Sequence, residues 1–303
     1  MKYGYGSGWF NPQEKLPGLN LKCEFERSSA WPVSFRDQCK QTAILIANQA
    51  RSLNRTPVVL LSGGLDSEVV TKAFIDAEVD FRAVTFRYPN SLNEHELHFV
   101  NQFVSKNKFH HEFYEIDILP WIQSSAAIEL FKNSHAHYFE MVPHMKLMLD
   151  IYHQGGFPVL GNGEALYLKT GPREWSYVEY EYDLAWYRFA HYSQIQGVMG
   201  FYQHTSDMTF AMMNDRRMKQ LGSGNNQAAN KLLDTSRQIK YHVYYDQFPD
   251  ITRRVKKYDG GERLRPLLRT LNELYRSNRQ VQYNDVWTKP VSEFFDQLKP
   301  KLA

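Results

Sequence analysis

The chain has 303 residues, 43% of them hydrophobic, a length that fits one large domain or two modest ones with a sizeable core. Its 36 Lys and Arg against 33 Asp and Glu leave a formal charge of +3, which is near neutral. Two cysteines, Cys23 and Cys39, are too few for a disulfide framework or a four-thiolate zinc site, and no apolar run reaches signal-peptide or membrane-spanning length, so a soluble protein of the reducing cytoplasm is expected.

Residues 1–55 read as a loop-rich lead-in ending in a helix over Phe35 to Ser52, where Ala43, Ile44, Ile46 and Ala47 fall among polar residues. Pro57 to Leu61 is a short apolar, β-branched run, read as a buried strand that ends at Ser62-Gly63-Gly64. From Ser67 onward Val69, Val70, Ala73, Phe74 and Ala77 recur at helical spacing, and Phe81 to Phe86 reads as the next strand. Asn93 to Lys106 is amphipathic, His111 to Ile118 alternates as a third strand, a helix is expected from Pro143 to His153, and Phe157 to Gly161 reads as a fourth strand.

Such alternation predicts an α/β domain over 56–171, with a mostly parallel sheet covered by helices on both faces. Beyond Gly171 the pattern fades, and residues 172–303 are expected to form a mainly helical C-terminal region that completes the active site. Trp175, Tyr177, Tyr180, Tyr182, Trp186, Tyr187, Phe189 and Tyr192 read as core more readily than as a stacking platform. Arg253 to Arg279 holds nine basic residues against three acidic ones, which fits either an anionic partner or a solvated helical face.

The most informative stretch is Ser62-Gly63-Gly64-Leu65-Asp66-Ser67, between a strand and a helix. Glycines let the backbone turn tightly and approach a ligand, amides at a helix N-terminus face an anion, and the Ser62 and Ser67 hydroxyls add donors. Asp66 would repel a phosphate unless it caps the helix or holds a divalent cation, for which magnesium is the expectation. The Gly-Lys-Ser/Thr ending of a Walker loop is absent, which disfavours a kinase or ordinary ATPase.

This run resembles the signature of the N-type ATP pyrophosphatases, the PP-loop superfamily of asparagine, NAD, GMP and argininosuccinate synthetases and of several tRNA- or deazaguanine-modifying enzymes. The resemblance implies a Rossmann-like fold of the HUP type, ATP and Mg2+ as cofactors, and release of AMP and pyrophosphate. It implies that Ser62, Gly63, Gly64, Leu65, Asp66 and Ser67 bind the leaving pyrophosphate with magnesium, and that Thr85-Phe86-Arg87 lies by the adenosine. Further stretches are similar to the asparagine synthetase branch: Asn93-Glu94 opening a helix, Pro143 opening another, and Val159-Leu160-Gly161-Asn162-Gly163-Glu164. On that likeness Gly161 and Gly163 join the nucleotide site, Glu164 becomes a second metal ligand, and Arg254 and Lys256 join Asp66 as catalytic residues. Asn162 stands where the branch carries a glutamate, and position 2 is Lys, so no N-terminal glutaminase nucleophile is present; ammonia or an amine would come free or from a separate donor.

Bland alternatives remain for the outlying residues: Glu164 as a turn carboxylate, Arg254 and Lys256 on a solvated basic helix, and Asp117 as a helix cap. The leading expectation is an asparagine-synthetase-like ligase that activates the carboxylate of a small molecule. The rival is an enzyme adenylating a nucleobase ring carbonyl or amide, with nucleic acid a less favoured substrate, and a nucleotide-sensing module is the non-enzymatic third.

Overall fold

The computed structural model describes residues 33–134, 136, 138–164, 166–171, 174–218, 232–254, 264–276 and 286–290. Helix α1 (Phe35–Ser52) leads into strand β1 (Thr56–Leu60), helix α2 (Leu65–Asp76), strand β2 (Arg82–Arg87), helix α3 (Glu94–Lys106) and strand β3 (His110–Glu115). Short helices α4 (Ile118–Ile122) and α5 (Ser125–Asn133) precede α6 (Val142–His153) and strand β4 (Gly156–Val159). All four strands are parallel, in the order β3-β2-β1-β4. The expected Rossmann-like α/β fold is therefore present, and α1 occupies the span that its apolar spacing predicts.

Strand β1 hydrogen-bonds on both sides, which buries it and accounts for its unbroken apolar run. Successive side chains point to opposite faces, so Val59 and Leu61 enter one core while Val58 and Leu60 enter the other. The first core gathers Phe35 and Ile46 of α1, Val70 and Phe74 of α2, and Phe103 of α3. The second gathers Phe131 of α5, Met145 and Met148 of α6, and Phe189 of helix α7 (Glu181–Tyr192). Burying these apolar faces, at about 25 cal/mol per Å² of apolar surface, is what sandwiches the sheet between helices. Helix α1 packs on α2 and β1.

The part beyond Gly171 is mainly helical, as expected, and also carries strands that were not anticipated. Strands β5 (Leu166–Gly171) and β6 (Glu174–Tyr180) form an antiparallel hairpin, and β7 (Val286–Pro290) joins β6 in a second, three-stranded sheet. The expected boundary at 171/172 thus falls inside the hairpin. Trp175, Tyr177, Val178 and Tyr180 are residues that favour strands, and the outer partner β7 lies far along the chain. Helices do follow: α7, then α8 (Ser206–Asn214), α9 (Leu232–Gln247) and α10 (Arg265–Arg276). Trp186, Tyr187 and Phe189 are buried core, as their spacing predicts. No helix among the described residues is long and apolar enough to cross a membrane.

Candidate active site

The sheet order places β4 on the opposite side of β1 from β2 and β3, so the loop leaving the C-terminal end of β1 sits where open α/β sheets bind ligands. The Leu61 amide donates to the Val84 carbonyl at 2.9 Å, after which the chain turns at Gly63 with φ +73° and enters α2 at Leu65. A Cβ at Gly63 would lie 2.6 Å from the Glu96 carbonyl oxygen in the first turn of α3, so both the backbone conformation and the space demand glycine. Leu65 does not face a ligand; its buried side chain anchors the start of α2 in the core. Gly64 is the N-cap and supplies no side-chain cap to the helix.

Within the turn, the Ser67 hydroxyl donates to the Gly64 carbonyl at 2.9 Å, accepts from the Ser62 amide at 3.1 Å and lies 3.2 Å from the Ser62 hydroxyl. These contacts shape a compact turn at the N-terminus of α2, in which Ser67 is buried and its hydroxyl ties the turn to itself. Asp66 faces away from Glu68 at the same helix end. Its Oδ1 accepts from the Tyr244 hydroxyl at 2.7 Å and lies 3.0 Å from Nζ of Lys240, which also reaches Oε1 of Glu164 at 2.6 Å. The Tyr202 hydroxyl donates to the Asp66 carbonyl at 2.8 Å, and its ring stacks on Tyr244 at 5.9 Å. Burial pushes both phenols well above their ordinary range, so they stay neutral donors.

The structure therefore brings Asp66 and Glu164 together as expected, but around an ammonium. Burial alone would lower the Lys240 pKa; the Asp66 and Glu164 carboxylates outweigh it and raise the value, keeping Lys240 charged. A resident magnesium ion on Asp66 and Glu164 does not fit this arrangement, and no group of three His, Cys, Asp or Glu suited to a metal occurs among the described residues. Lys240 and Tyr244 were not singled out from sequence, although the signal exists: a lysine and a tyrosine four residues apart beside Val243, on a helix face that otherwise enters the core.

Arg254 takes a different place from the expected catalytic one. Its guanidinium donates to the Gly63 carbonyl at 2.5 Å and to Oε1 of Glu68 at 2.6 Å, and lies 4.5 Å from the Phe99 ring centroid. Glu68 is fully buried, and its Oε2 accepts from the Thr252 amide at 3.0 Å. Burial raises the Glu68 pKa, and Arg254 offsets only part of that rise. Arg254 is thus a positioning residue that clamps the loop to α2. Lys256 lies outside the described residues.

A cavity of about 260 Å³ opens beside Ser62 at the ends of β1 and β2, lined in part by Thr85, Phe86, Tyr88, Glu96 and His144 and roofed by Leu264 and Leu268. Thr85 meets it only from a buried position, where its hydroxyl donates to the Leu61 carbonyl at 2.7 Å and contacts His111 at 2.9 Å. Phe86 meets the His144 ring edge to face at 5.2 Å, and burial lowers the His144 pKa. Arg87 is not part of this cavity: it sits over the Phe113 ring at 3.6 Å and pairs with Glu115. Asn93 lines the cavity as N-cap of α3, its amide donating to the Phe86 carbonyl at 2.9 Å, with Glu94 following as the first helical residue.

The two further glycines are packing devices. A Cβ at Gly161 would press on Cα of Ser67 at 3.2 Å, and at Gly163, with φ +80°, on the Gln203 side chain at 2.6 Å. Gly161 lets the chain after β4 lie against the loop and Gly163 lets it pass Gln203 on the way to Glu164. Asn162 between them, with its amide oriented to satisfy both atoms, accepts from the Trp186 indole at 3.0 Å and donates to the Met199 carbonyl at 2.6 Å, so it braces the core. Asp117 occupies the N-cap position of α4 without a side-chain capping bond.

Residues 56–140, which span β1 to β3 and the loop, match the family model described as queuosine biosynthesis protein QueC. No curated protein matches the chain. Among solved structures, the NMN synthetase of Francisella tularensis is 11% identical over 75% of this chain and 100% of that one, with a TM-score of 0.34. The NH3-dependent NAD synthetase of Campylobacter jejuni is 14% identical with the same coverages and a TM-score of 0.35. The glutamine-dependent NAD+ synthetase of Acinetobacter baumannii is 13% identical over 88% of this chain and 52% of that one, with a TM-score of 0.33. At TM-scores this low the three superpositions bear on neither chemistry nor substrate. The family match covers less than half of the chain and is a likeness of the first three strands and the loop to the PP-loop type; kinship to asparagine synthetase is not shown.

Proposed function

We propose that this chain binds ATP with its β and γ phosphates on the Ser62 to Ser67 loop and its base in the cavity by Phe86, and transfers the adenylyl group to an acceptor oxygen, releasing pyrophosphate. The observation that carries the reading is the loop itself: two serine hydroxyls, a left-handed glycine and an uncapped helix N-terminus at the switch point of a parallel sheet, with a cavity opening from Ser62. Charge that develops on the phosphates would be met by these donors and by Lys240 beside Asp66, preset before the reaction. Asp66 then acts mainly by orienting Lys240 and Tyr244.

The acceptor we propose is a small molecule with a carboxylate or ring-carbonyl oxygen, whose adenylate is displaced by ammonia or an amine from a separate donor. The match of residues 56–140 to a queuosine biosynthesis family favours a nucleobase-like acceptor over an amino acid, and the engaged Asn162 adds that no base for ammonia stands at that position. Lys256 remains a proposed contact to the adenylate. The test is exchange of labelled pyrophosphate into ATP across a panel of amino acids and carboxylated purine analogues, with products separated by chromatography. Acceptor-dependent exchange with AMP as product is expected, and label from an oxygen-18 acceptor should appear in AMP. Acceptor-dependent ADP would overturn the assignment.

A further inference from the structure

We propose that Lys240 is the resident cation of the loop site: its ammonium holds the seat between Asp66 and Glu164, so the free protein takes no divalent metal there and a metal enters only together with the nucleotide. Nζ lies 3.0 Å and 3.2 Å from the two Asp66 oxygens and 2.6 Å from Oε1 of Glu164, and the side chain is 3% exposed. A magnesium ion needs oxygens at about 2.0–2.1 Å in a near-octahedral shell. It would have to share both Asp66 oxygens with an ammonium that stays among them, placing two cations against two partly buried carboxylates.

Lys240 has little room to leave. It extends from α9, with the Tyr241 and Tyr244 ring centroids 5.5 Å and 5.8 Å from Nζ, and Tyr244 holds the same Asp66 oxygen at 2.7 Å. Lys240 cancels one of the two carboxylate charges, so a divalent ion added beside it would leave the site net positive, and that excess is offset when phosphates bring negative charge to Ser62 and Ser67. This coupling rests on the reading that the loop takes phosphates; the exclusion of metal from the free protein does not.

The test is titration of the full chain with Mn2+ followed by electron paramagnetic resonance, without nucleotide, alongside Lys240→Met and Lys240→Gln. Glutamine is included because it can still hydrogen-bond both carboxylates if methionine leaves the chain unfolded by circular dichroism. The wild type should hold no Mn2+ more tightly than millimolar. Each folded variant should gain one site at least about tenfold tighter, lost again when Glu164→Gln is added. One Mn2+ held at micromolar concentration by the wild type and removed by Glu164→Gln, or folded variants that bind no better than wild type, would overturn the proposal. Because no turnover is read, these outcomes are independent of whether the adenylation reading stands.

Discussion

Removing Arg254 should damage the protein in a pH-dependent way. Arg254→Met leaves the Glu68 carboxylate, which is 0% exposed, with the Thr252 amide but without its counter-charge. Breaking a buried ion pair from one side costs about 3–5 kcal/mol, because an uncompensated charge stays in the core. Glu68 can escape part of that cost by protonating. Its folded-state pKa is already raised by burial, and losing Arg254 raises it further. A carboxyl raised above its unfolded value of about 4.3 lends stability below that pH, and this is lost as pH rises through the folded value. The deficit of Arg254→Met relative to wild type should therefore be smaller near pH 5 than near pH 8. Glu68→Gln should instead show a deficit with much weaker pH dependence, and the double variant Glu68→Gln/Arg254→Met should lose less than the two single changes summed. Urea unfolding followed by circular dichroism measures all of these. A deficit under about 1 kcal/mol in both single variants, or one that is flat with pH for Arg254→Met, would refute the buried-clamp account.

Gly63→Ala should lower nucleotide affinity more than stability, since its Cβ would force the loop away from the Glu96 carbonyl, 2.6 Å distant, while the core beneath is untouched; calorimetric titration with ATP against urea unfolding separates the two. His144 should titrate below the ordinary histidine midpoint of about 6.5, since burial lowers its pKa. A histidine lowered in this way withdraws stability as pH falls from the unfolded value toward the folded one, and its ring resonances in a proton NMR titration report the midpoint.

The α/β layer was legible because its signals are local. The apolar run of β1, the 3.6-residue spacing in α1 and α3, and the glycine turn between β1 and α2 each declare themselves within a few residues. The hairpin of β5 and β6 was not, although its two strands are neighbours in the chain; only its third strand, from residues 286–290, is distant. The loop was read correctly as a turn between strand and helix, yet the partners of its carboxylates come from distant positions: Lys240 and Tyr244 for Asp66, Arg254 for Glu68. Motif likeness drew attention to Arg254 for catalysis, whereas its neighbours make it a clamp. Likeness also offered Asp66 and Glu164 as metal ligands, and only three-dimensional placement reveals the lysine between them.

That spacing along the chain has a consequence for biosynthesis. Asp66 and Glu68 leave the ribosome early, within the strands and helices that can assemble first, but Lys240 and Arg254 follow well over a hundred residues later. Until then the nascent layer carries two carboxylates at one helix end with no cation to face them. A chain that stalls or is cleaved before residue 240 would hold a recognisable turn between β1 and α2 and yet lack the charges that set it.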